Sequence, residues 1–487
     1  MTESWLLPLA VLVPLALGAA AFVLPERGAR WLLAPGWLLV TGLGCAVALA
    51  PTPLHYDLGG WEAPLGIALY ADSLTVALLL LVVAVYAAVL PYAAAYYAPG
   101  AREARLFWPL AWLLWAGLNA AFLAADLFNL YVALELLGLA AVGLAAISGK
   151  PASLAAALRY LIAALIAANL FLLAVALLYG STGVLALPQI AAAIGPAPPV
   201  ALAIALIIVA LMLKTALVPL HFWLPPAHGG AATPVSALLS ALVIKAPVAI
   251  LVRLWLQFAP AVDLAALGML LAALGAAAMV WGSAVALVQT RIKMLVAYST
   301  IAQVGYLFLP FAWFIPGNPA AGLALEADVL HLLAHAGAKA AMFMAAGVLV
   351  LAAGRDDFAA LHGAAAREPV AVFAFGLAGA SLIGLPPTAG FAAKWQMLQA
   401  AVASGQWPWV VVLIGGSLLA AAYVFRVLRL AFLPAPQAIE ARPVARTMSV
   451  AALALALVAA FGGMVAAPLS DALDLRSLAW PDFGAPR

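Results

Sequence analysis

The chain has 487 residues, of which 68% are hydrophobic and only 8% are charged. Because a soluble protein surface needs roughly 25–35% charged residues, this composition excludes an ordinary water-soluble protein. The net charge of +3 at pH 7 comes from basic residues scattered singly between apolar runs, which excludes a nucleic-acid-binding patch. The single cysteine, Cys45, excludes a disulfide framework and a thiolate-bound metal cluster.

Apolar runs long enough to cross a bilayer recur along the whole chain. A membrane-crossing helix needs about 20 apolar residues, and backbone groups surrounded by lipid favour the helix. The chain starts at Met1 without a basic segment, so we expect the first run to be a retained span. The sequence therefore predicts an all-α polytopic membrane protein with about fourteen spans. The predicted spans are 5–24, 31–50, 68–96, 107–124, 127–147, 154–179, 200–218, 234–256, 264–287, 294–313, 325–352, 369–403, 409–431 and 448–467.

Basic residues in the loops predict the orientation. With the N-terminus outside, fourteen Lys or Arg residues fall on the inner side and three on the outer side. Cytoplasmic loops normally carry this excess of positive charge, so we expect both termini on the outer side of the cell (inner) membrane. The inner set is Arg27, Arg30, Arg102, Arg105, Lys150, Arg159, Arg291, Lys293, Arg355, Arg367, Arg426, Arg429, Arg442 and Arg446; the outer set is Arg253, Arg476 and Arg487.

The remaining basic residues are four lysines inside predicted spans, namely Lys214, Lys245, Lys339 and Lys394. Among the acids, we place only Glu135 at the middle of a span. A charge at the bilayer centre costs about 2.5–3.5 kcal/mol, so these residues must be paired, neutral or in contact with water. Structural ion pairs are the simpler alternative, but one carboxylate cannot neutralise four lysines. The pattern therefore indicates a proton path.

Two spans are interrupted close to one of these lysines. In span seven, Lys214 is followed by Pro219 and by the sequence HFWLPP at 221–226. In span twelve, the sequence GLPPTAG at 384–390 precedes Lys394 by four residues. Proline removes helix hydrogen bonds, which is tolerated at depth only where protein or a water-filled cavity satisfies the backbone. One proline kink is ordinary, but two interruptions in corresponding positions of two halves are typical of a transport site.

Span eleven carries His331, His335 and Lys339, whose spacing of four places them on one helical face. Histidine titrates near neutral pH and can pass protons. Two histidines at this spacing could instead bind zinc, but a closed zinc site needs four ligands and no suitable third ligand is near in sequence. His221 and His228, which follow the interruption in span seven, could either serve the path or cap polar groups.

Sequence motifs of soluble enzymes are missing. The nearest approach to a phosphate-binding loop, at 143–150, has one residue too many between its glycines and is followed by Pro151 instead of Ser or Thr. There is no glycine-rich dinucleotide fingerprint and no thiolate cluster. We therefore expect no cofactor, no bound metal and no redox or hydrolytic site in this chain. The energy for transport would come from an ion gradient or from a partner.

Three segments resemble known transport proteins. The sequence DLFNLY at 126–131 resembles the fifth-helix signature of the D-type polypeptide of Mrp antiporters and of membrane-bound hydrogenase relatives. The sequence LKTALVPLHFWLP at 213–225 resembles the broken-helix motif of the antiporter-like family. The sequences RIK at 291–293 and AYSTIAQVGY at 297–306 are similar to the tenth-helix region of the same family. The chain thus resembles the antiporter-like subunits shared by Mrp-type cation/proton antiporters and complex I-like assemblies.

This resemblance covers about residues 65–430 and implies a domain organisation. Two five-helix halves of inverted topology would comprise 107–256 and 264–431. A three-helix segment, 1–106, would precede them, and a helix with a tail, 432–487, would follow.

The resemblance also implies roles for the buried charges. Glu135 and Lys214 would form the first-half pair, and Lys245 a central relay. Lys394 would be the second-half terminal residue, connected to Lys245 through Lys339 and the histidines 331 and 335. The implied function is proton or cation/proton translocation, with protons alone or protons and Na⁺ as the transported ions.

The implied partners are other integral membrane subunits of an antiporter or complex I-like assembly. Two alternatives stay open. The first is a redox-driven pumping subunit of a complex I-like or hydrogenase assembly. The second is a membrane subunit that energises a peripheral partner, such as an inorganic-carbon uptake system. In the second case Arg355, Asp356 and Asp357 would offer a docking surface on the inner side.

Overall fold

The structure, a computed structural model, describes residues 3–64, 66–434 and 442–475. Arg476 and Arg487, which belong to the predicted outer set, lie outside these ranges. Within the described residues, thirteen helices are long and apolar enough to cross a membrane. This confirms the polytopic all-α membrane fold. The count of fourteen spans and the inverted relation of the two halves stay predictions.

The first part of the chain forms five helices and one hairpin. The helices are α1 (Leu6–Val23), α2 (Glu26–Trp31), α3 (Leu33–Leu49), α4 (Ser73–Tyr96) and α5 (Arg102–Leu123). The antiparallel strands β1 (Leu54–Asp57) and β2 (Ala68–Ala71) pair Leu54 with Ala71. The sequence predicts that the third span begins at 68. Instead that segment is strand, and Asp72 caps α4 by accepting a hydrogen bond from the Thr75 amide at 2.9 Å.

The middle of the chain contains the first interrupted helix. The helices are α6 (Leu127–Ala146), α7 (Pro151–Thr182), α8 (Leu187–Ala193), α9 (Pro198–Thr215), α10 (Leu224–Gly230), α11 (Thr233–Leu238) and α12 (Lys245–Phe258). A π-helix, Leu239–Val243, separates α11 from α12. The sequence predicts one continuous span over 234–256. It does not reveal this interruption, because a π-turn leaves the apolar pattern of a helix almost unchanged.

The last part of the chain contains the second interrupted helix. The helices are α13 (Ala265–Val288), α14 (Ile292–Tyr306), α15 (Ala321–Ala353), α16 (Ala364–Arg367), α17 (Pro369–Ile383), α18 (Ala389–Ala403), α19 (Trp407–Phe432), α20 (Arg446–Phe461) and α21 (Ala466–Leu473). The predicted span 369–403 is thus two fifteen-residue helices, α17 and α18, separated by residues 384–388. Short 3₁₀ turns are Glu3–Trp5, Leu58–Gly60, Leu309–Ala312, Phe358–Leu361 and Gly462–Val465.

Contacts among the loops define two ends of the bundle. At the first, which we call the arginine-rich end, Arg30 donates to the carbonyl of Tyr97 at 2.8 Å. At the same end, the main chains of Arg291 and Asp357 pair in an isolated antiparallel β-bridge. The main-chain amide of Arg442 also donates there, to the carbonyl of Ala352.

At the second end, which we call the hairpin end, Leu69 of β2 forms a bridge with Ala124. Arg253 of α12 also lies there and donates to Asp72 at 2.9 Å. Helix α4 runs from this end to the arginine-rich end, and its 24 residues span about 36 Å. Successive long helices therefore connect the two ends in alternation.

The interior of the bundle holds the helices that carry the buried charges. The most apolar 18-residue window of residues 233–258 is entirely buried, and that of α15 is 83% buried. The corresponding window of α19 is only 33% buried. The central helices therefore contact other helices on every side, so charged groups on them can be kept away from lipid.

Candidate functional site

The first part of the site is the pair formed by Glu135 and Lys214. Glu135 is near the middle of α6, and Lys214 is in the last turn of α9. Lys214 Nζ lies 3.4 Å from Glu135 Oε1. Charge-assisted hydrogen bonds are normally about 2.7–2.9 Å long. The side chain of Glu135 is also 23% exposed, compared with 9% for Lys214. The two groups are therefore in contact but not held tightly together.

The end of α9 positions Lys214. The helix stops at Thr215, four residues before Pro219, whose ring would clash with the carbonyl of a helical residue at that spacing. Ala216 adopts a left-handed conformation with φ of 58°, and its amide donates to the carbonyl of Leu213. Trp223 Nε1 donates to the same carbonyl at 2.8 Å. The carbonyls freed at this helix end are therefore partly satisfied by protein groups.

A small cavity lies beside Lys214. Its volume is about 20 Å³, and its lining includes Gly138, Lys214, Val243 and Pro247. A cavity needs roughly 10–15 Å³ of such volume to hold one water molecule. Pro247 is two residues from Lys245 on α12. The cavity therefore has room for a water molecule beside Lys214, next to the helix that carries Lys245.

Lys245 lies directly after the π-helix and is completely buried. Its Nζ donates to the carbonyl of Ser240 at 2.5 Å. The hydroxyl of Ser240 contacts the hydroxyl of Thr300 on α14, with 3.0 Å between the oxygen atoms. Single π-turns inside α-helices are frequently found at functional sites. Here the π-turn carries the main-chain carbonyl to which Lys245 is bound.

Lys339 is bound to the same part of α14. Its Nζ donates to the carbonyl of Val296 at 2.9 Å and to the hydroxyl of Ser299 at 2.5 Å. The hydroxyl of Thr300 donates to the carbonyl of Val296 at 3.0 Å. Short polar contacts through Ser240, Thr300 and Val296 therefore connect Lys245 with Lys339.

The two histidines of α15 continue this row. The rings of His335 and His331 lie 5.9 Å apart between centroids, and neither ring nitrogen of His335 has a hydrogen-bond partner in the described part of the chain. The ring of His331 lies 5.2 Å from that of Tyr306, and Lys394 Nζ lies 4.0 Å from the Tyr306 centroid. Tyr306 thus lies between the histidines and the last lysine.

Lys394 of α18 reaches back to the end of α17. Its Nζ donates to the carbonyls of Leu382 at 2.6 Å and of Ile383 at 3.3 Å. These carbonyls have no helical N–H partner because α17 ends at Ile383, and the C-terminus of a helix carries partial negative charge. Gly384 follows with φ of 90°, and a β-carbon there would lie 2.9 Å from Lys394 Cδ. The interruption therefore forms the binding site for the ammonium group.

A large cavity opens at the arginine-rich end. Its volume is about 900 Å³, and its lining comes from several helices and the loops between them, including Lys150, Arg159, Gly230 and Lys293. His228, two residues before Gly230, is buried and stacks on Phe343 of α15 with 4.7 Å between ring centroids. Phe343 is one helical turn from Lys339, so His228 packs against the part of α15 that carries this lysine.

The structure brings all seven predicted residues together in one row. They are Glu135, Lys214, Lys245, Lys339, His335, His331 and Lys394. The sequence did not identify the hydroxyl groups of Ser240 and Thr300 as connections, because only packing between α14 and the π-helix brings them together.

The acids of α15 were also missed. The sequence places only Glu135 at the middle of a span, but Glu326 and Asp328 are both 2% exposed. Helix α15 begins at Ala321, four residues earlier than predicted, and its first residues are covered. Both acids are therefore inside the bundle and not at its surface.

Two other predictions can be compared with the geometry. Among the described residues, no group of three or more His, Cys, Asp or Glu side chains could hold a metal ion. The charges of the predicted docking surface contact neighbouring groups, since Asp356 pairs with Arg291 at 2.9 Å and Asp357 pairs with Arg355.

Comparison with known proteins places this chain in a family. The family described as "NADH:quinone oxidoreductase/Mrp antiporter, TM" matches residues 124–420. The N-type polypeptide of the NADH-quinone oxidoreductase of Desulforudis audaxviator is 38% identical over 453 residues, which cover 90% of this chain and 89% of that protein. The D-type polypeptide of the Na(+)/H(+) antiporter of Alkalihalophilus pseudofirmus is 28% identical, covering 81% of this chain and 80% of that protein.

Solved structures are similar over almost the whole chain. One polypeptide of the Mrp complex from Dietzia sp. DQ12-45-1b has a TM-score of 0.88 at 26% identity, covering 100% of this chain and 98% of that one. One polypeptide of the archaeal membrane-bound sulfane sulfur reductase also has a TM-score of 0.88 at 26% identity, covering 97% of each. The chain belongs to the membrane-subunit family shared by NADH:quinone oxidoreductases and Mrp antiporters.

Proposed function

We propose that this chain is a proton-translocating, antiporter-like subunit of a multi-subunit membrane complex, with other integral membrane subunits as partners. The observation that carries the proposal is the row of titratable groups from Glu135 to Lys394, all inside the bundle except for the partly exposed Glu135, with hydroxyls and carbonyls between them and a cavity beside Lys214. Buried ionisable residues in a membrane are expensive and typically mark ion pathways. The family supports the same function, because its members named above are subunits of an oxidoreductase and of an antiporter.

The first step is control of the Lys214 proton by Glu135. An opposite charge nearby favours the charged form of an ionisable group, so the distance between the two side chains sets how firmly the lysine holds its proton. The present distance of 3.4 Å and the partial exposure of Glu135 leave room for that distance to change. A water molecule in the adjoining 20 Å³ cavity would carry the proton towards Lys245.

The second step transfers the proton between the central lysines. The hydroxyl groups of Ser240 and Thr300 can each donate one hydrogen bond and accept another. They lie between the carbonyl bound by Lys245 and the carbonyl bound by Lys339. If Lys245 shifted from the Ser240 carbonyl to the Ser240 hydroxyl, an N–H bond of the lysine would break, each hydroxyl would accept one proton and give up its own, and an N–H bond would form on neutral Lys339.

The third step passes the proton through the histidines. A neutral imidazole can accept a proton at one nitrogen and release one from the other. His335 and His331 are stacked on successive turns of α15, and Tyr306 separates them from Lys394. The carbonyls of Leu382 and Ile383 then stabilise the charged form of Lys394.

The positive-inside rule supports placing the arginine-rich end on the cytoplasmic side of the cell (inner) membrane. Both termini would then lie outside. The 900 Å³ cavity would open to the cytoplasm, and His228 would connect it with the central lysines. The cavity is therefore our candidate for uptake of the transported ions, either protons alone or protons and Na⁺.

A redox-driven pump is the second candidate function. It is favoured by the 38% identity to an NADH-quinone oxidoreductase subunit over 90% of this chain. Electron transfer would then take place in partner subunits, because this sequence carries no thiolate cluster or dinucleotide motif. Purification of the native complex separates the candidates. Iron–sulfur subunits among the partners would favour the redox-driven pump, and small antiporter subunits would favour the gradient-driven one.

The proposal is tested by transport in inverted vesicles that contain the complete complex. We expect Lys339→Ala to abolish proton translocation while the complex still assembles. Arg429→Ala is the matched control, because Arg429 is an exposed cation on α19 away from the row, and it should leave transport unchanged. Full translocation in Lys339→Ala would show that the buried row does not carry protons.

A further inference from the structure

Asp328 is a buried carboxylate that the path described above does not use. It lies on α15 seven residues after Ala321 and is 2% exposed. Its Oδ1 atom is buried without a hydrogen-bond partner among the described residues. A buried acceptor without a partner lowers stability, because it has lost its hydrogen bonds to water and gained none in return. Packing alone would therefore favour an apolar residue here.

Asp328 shares a helical face with the path. Asp328, His331, His335 and Lys339 follow one another at spacings of three, four and four residues, so they form one stripe along α15. Neighbours at these spacings have β-carbons about 5–6 Å apart. The Nδ1 atom of His331 is also buried without a hydrogen-bond partner in the described chain. Two unpaired polar atoms thus lie on adjacent turns.

Asp328 lies closer to the hairpin end than the three residues of the row that α15 carries. Helix α15 reaches the arginine-rich end at Ala353, and its 33 residues span about 50 Å, so it begins at the hairpin end. Asp328 is eleven residues before Lys339, which is about 16 Å closer to the hairpin end. It therefore lies between His331 and that end of the bundle.

The neighbouring acid, Glu326, is in a different situation. Its Oε1 atom accepts a hydrogen bond from Gln396 of α18 at 2.5 Å. The two acids are two residues apart and point to different sides of the helix. Glu326 therefore contributes to packing between α15 and α18, and Asp328 belongs to the face that carries the histidines.

We infer that Asp328 is a proton-carrying residue through which the path continues from His331 towards the hairpin end. The path then divides at His331, with one branch to Lys394 and one to Asp328. In the step to Asp328, an N–H bond of the charged imidazole breaks and an O–H bond forms on the carboxylate, directly or through one water. The histidine returns to its neutral form and no other reactant is consumed. This inference rests on the proposed function.

The test compares Asp328→Asn with Asp328→Glu in the complete complex. Asparagine keeps the shape but cannot carry a proton, so we expect proton translocation to fall by about 10²-fold or more. Glutamate should restore a measurable part of it. Thermal unfolding of Asp328→Asn should not occur at a lower temperature than in the parent. The infrared difference spectrum should lose a carboxyl band in Asp328→Asn and keep it in the control Glu326→Gln.

Lys339→Ala measured in parallel separates the possible failures. Full translocation in Asp328→Asn with an inactive Lys339→Ala would overturn the role of Asp328 and leave the proposed function intact. Full translocation in both variants would overturn the proposed function itself. Loss of translocation in Asp328→Asn together with earlier unfolding or failed assembly would assign Asp328 a structural role and overturn the inference.

Discussion

The two interrupted helices bind a lysine in different ways. In the first, Lys214 lies in the last turn before the interruption, and a carboxylate from another helix meets its charge at 3.4 Å. In the second, Lys394 lies after the interruption and reaches back to two main-chain carbonyls, at 2.6 and 3.3 Å. A side-chain carboxylate can move by rotation, whereas carbonyls at a helix end are held by the backbone. At the first site the distance between the two charged groups can therefore change, whereas the second site holds the ammonium group in one place.

The two interruptions also differ in the residue type that follows the helix end. Both helices end in a left-handed residue, Ala216 with φ of 58° and Gly384 with φ of 90°. For a residue with a β-carbon this conformation costs about 1–2 kcal/mol, but glycine adopts it freely. Glycine is needed at 384 for a second reason, since Lys394 fills the space where a β-carbon would be. At the first interruption the lysine side chain points elsewhere and alanine is tolerated.

The largest effect is expected for Lys214→Arg. Arginine keeps the positive charge and could still pair with Glu135, but guanidinium does not release its proton in a protein. We expect translocation to fall by about 10²–10⁴-fold, as expected when a proton-transfer group is lost. Quenching of a pH-sensitive dye in inverted vesicles measures this. If Lys214→Arg transported normally, the first site would be a structural ion pair and the contrast with Lys394 would disappear.

Next in size is the contrast between Gly384→Ala and Ala216→Gly. The added β-carbon at 384 meets Lys394 Cδ and imposes left-handed strain, so the ammonium should be displaced from its two carbonyls. We expect Gly384→Ala to lose at least about tenfold in transport and to unfold at a lower temperature. Ala216→Gly removes strain and should keep transport. Equal behaviour of the two variants would show that the interruptions do not differ in the way described.

A smaller effect is expected for Thr300→Val. Valine has nearly the shape of threonine but lacks the hydroxyl that connects Ser240 with the carbonyl of Val296. We expect transport to fall by about tenfold, since two hydrogen bonds of roughly 1 kcal/mol each are lost and water can partly replace them. Thr300→Ser retains the hydroxyl and is the control. A defect of the same size in both variants would point to packing as the cause.

The smallest effect is expected at the helix caps of the two halves. Asp126 caps α6 through the Asn129 amide, and Thr388 caps α18 through the Phe391 amide. Burial raises the pKa of Asp126 above its usual 3.8, so its charged form is less favourable in the folded protein. Its contribution to stability is therefore largest at low pH and falls as the pH rises through the raised pKa.

Asp126→Asn keeps a good cap and removes this charge. At neutral pH we expect it to change the free energy of unfolding by no more than about 1 kcal/mol, in the stabilising direction. Thr388→Asn, the matched change at the other cap, should show no such pH dependence. Thermal unfolding of the purified complex between pH 4 and 8 measures both. A stabilisation of Asp126→Asn that is larger at acidic than at neutral pH would contradict this account.

The sequence by itself determined the class of protein and the residues that carry charge into the membrane. Hydrophobic run lengths predicted nearly all of the long helices, because a span depends on local composition. Glu135, the four lysines of the row and both histidines of α15 were found because few charged residues occur in this chain. The two interruptions were found because proline acts on its own helix.

Only the tertiary structure decided how these groups are connected. Glu135 meets Lys214 across 79 residues, and Lys339 meets Val296 across 43, which depends on how separate helices pack. The π-turn at Leu239–Val243 and the early start of α15 were not predicted, because neither changes the apolar pattern. The burial of Asp328 could be recognised only in the structure, where other segments cover the first turns of α15. Burial of a polar group is a property of the packed bundle, and local sequence does not contain it.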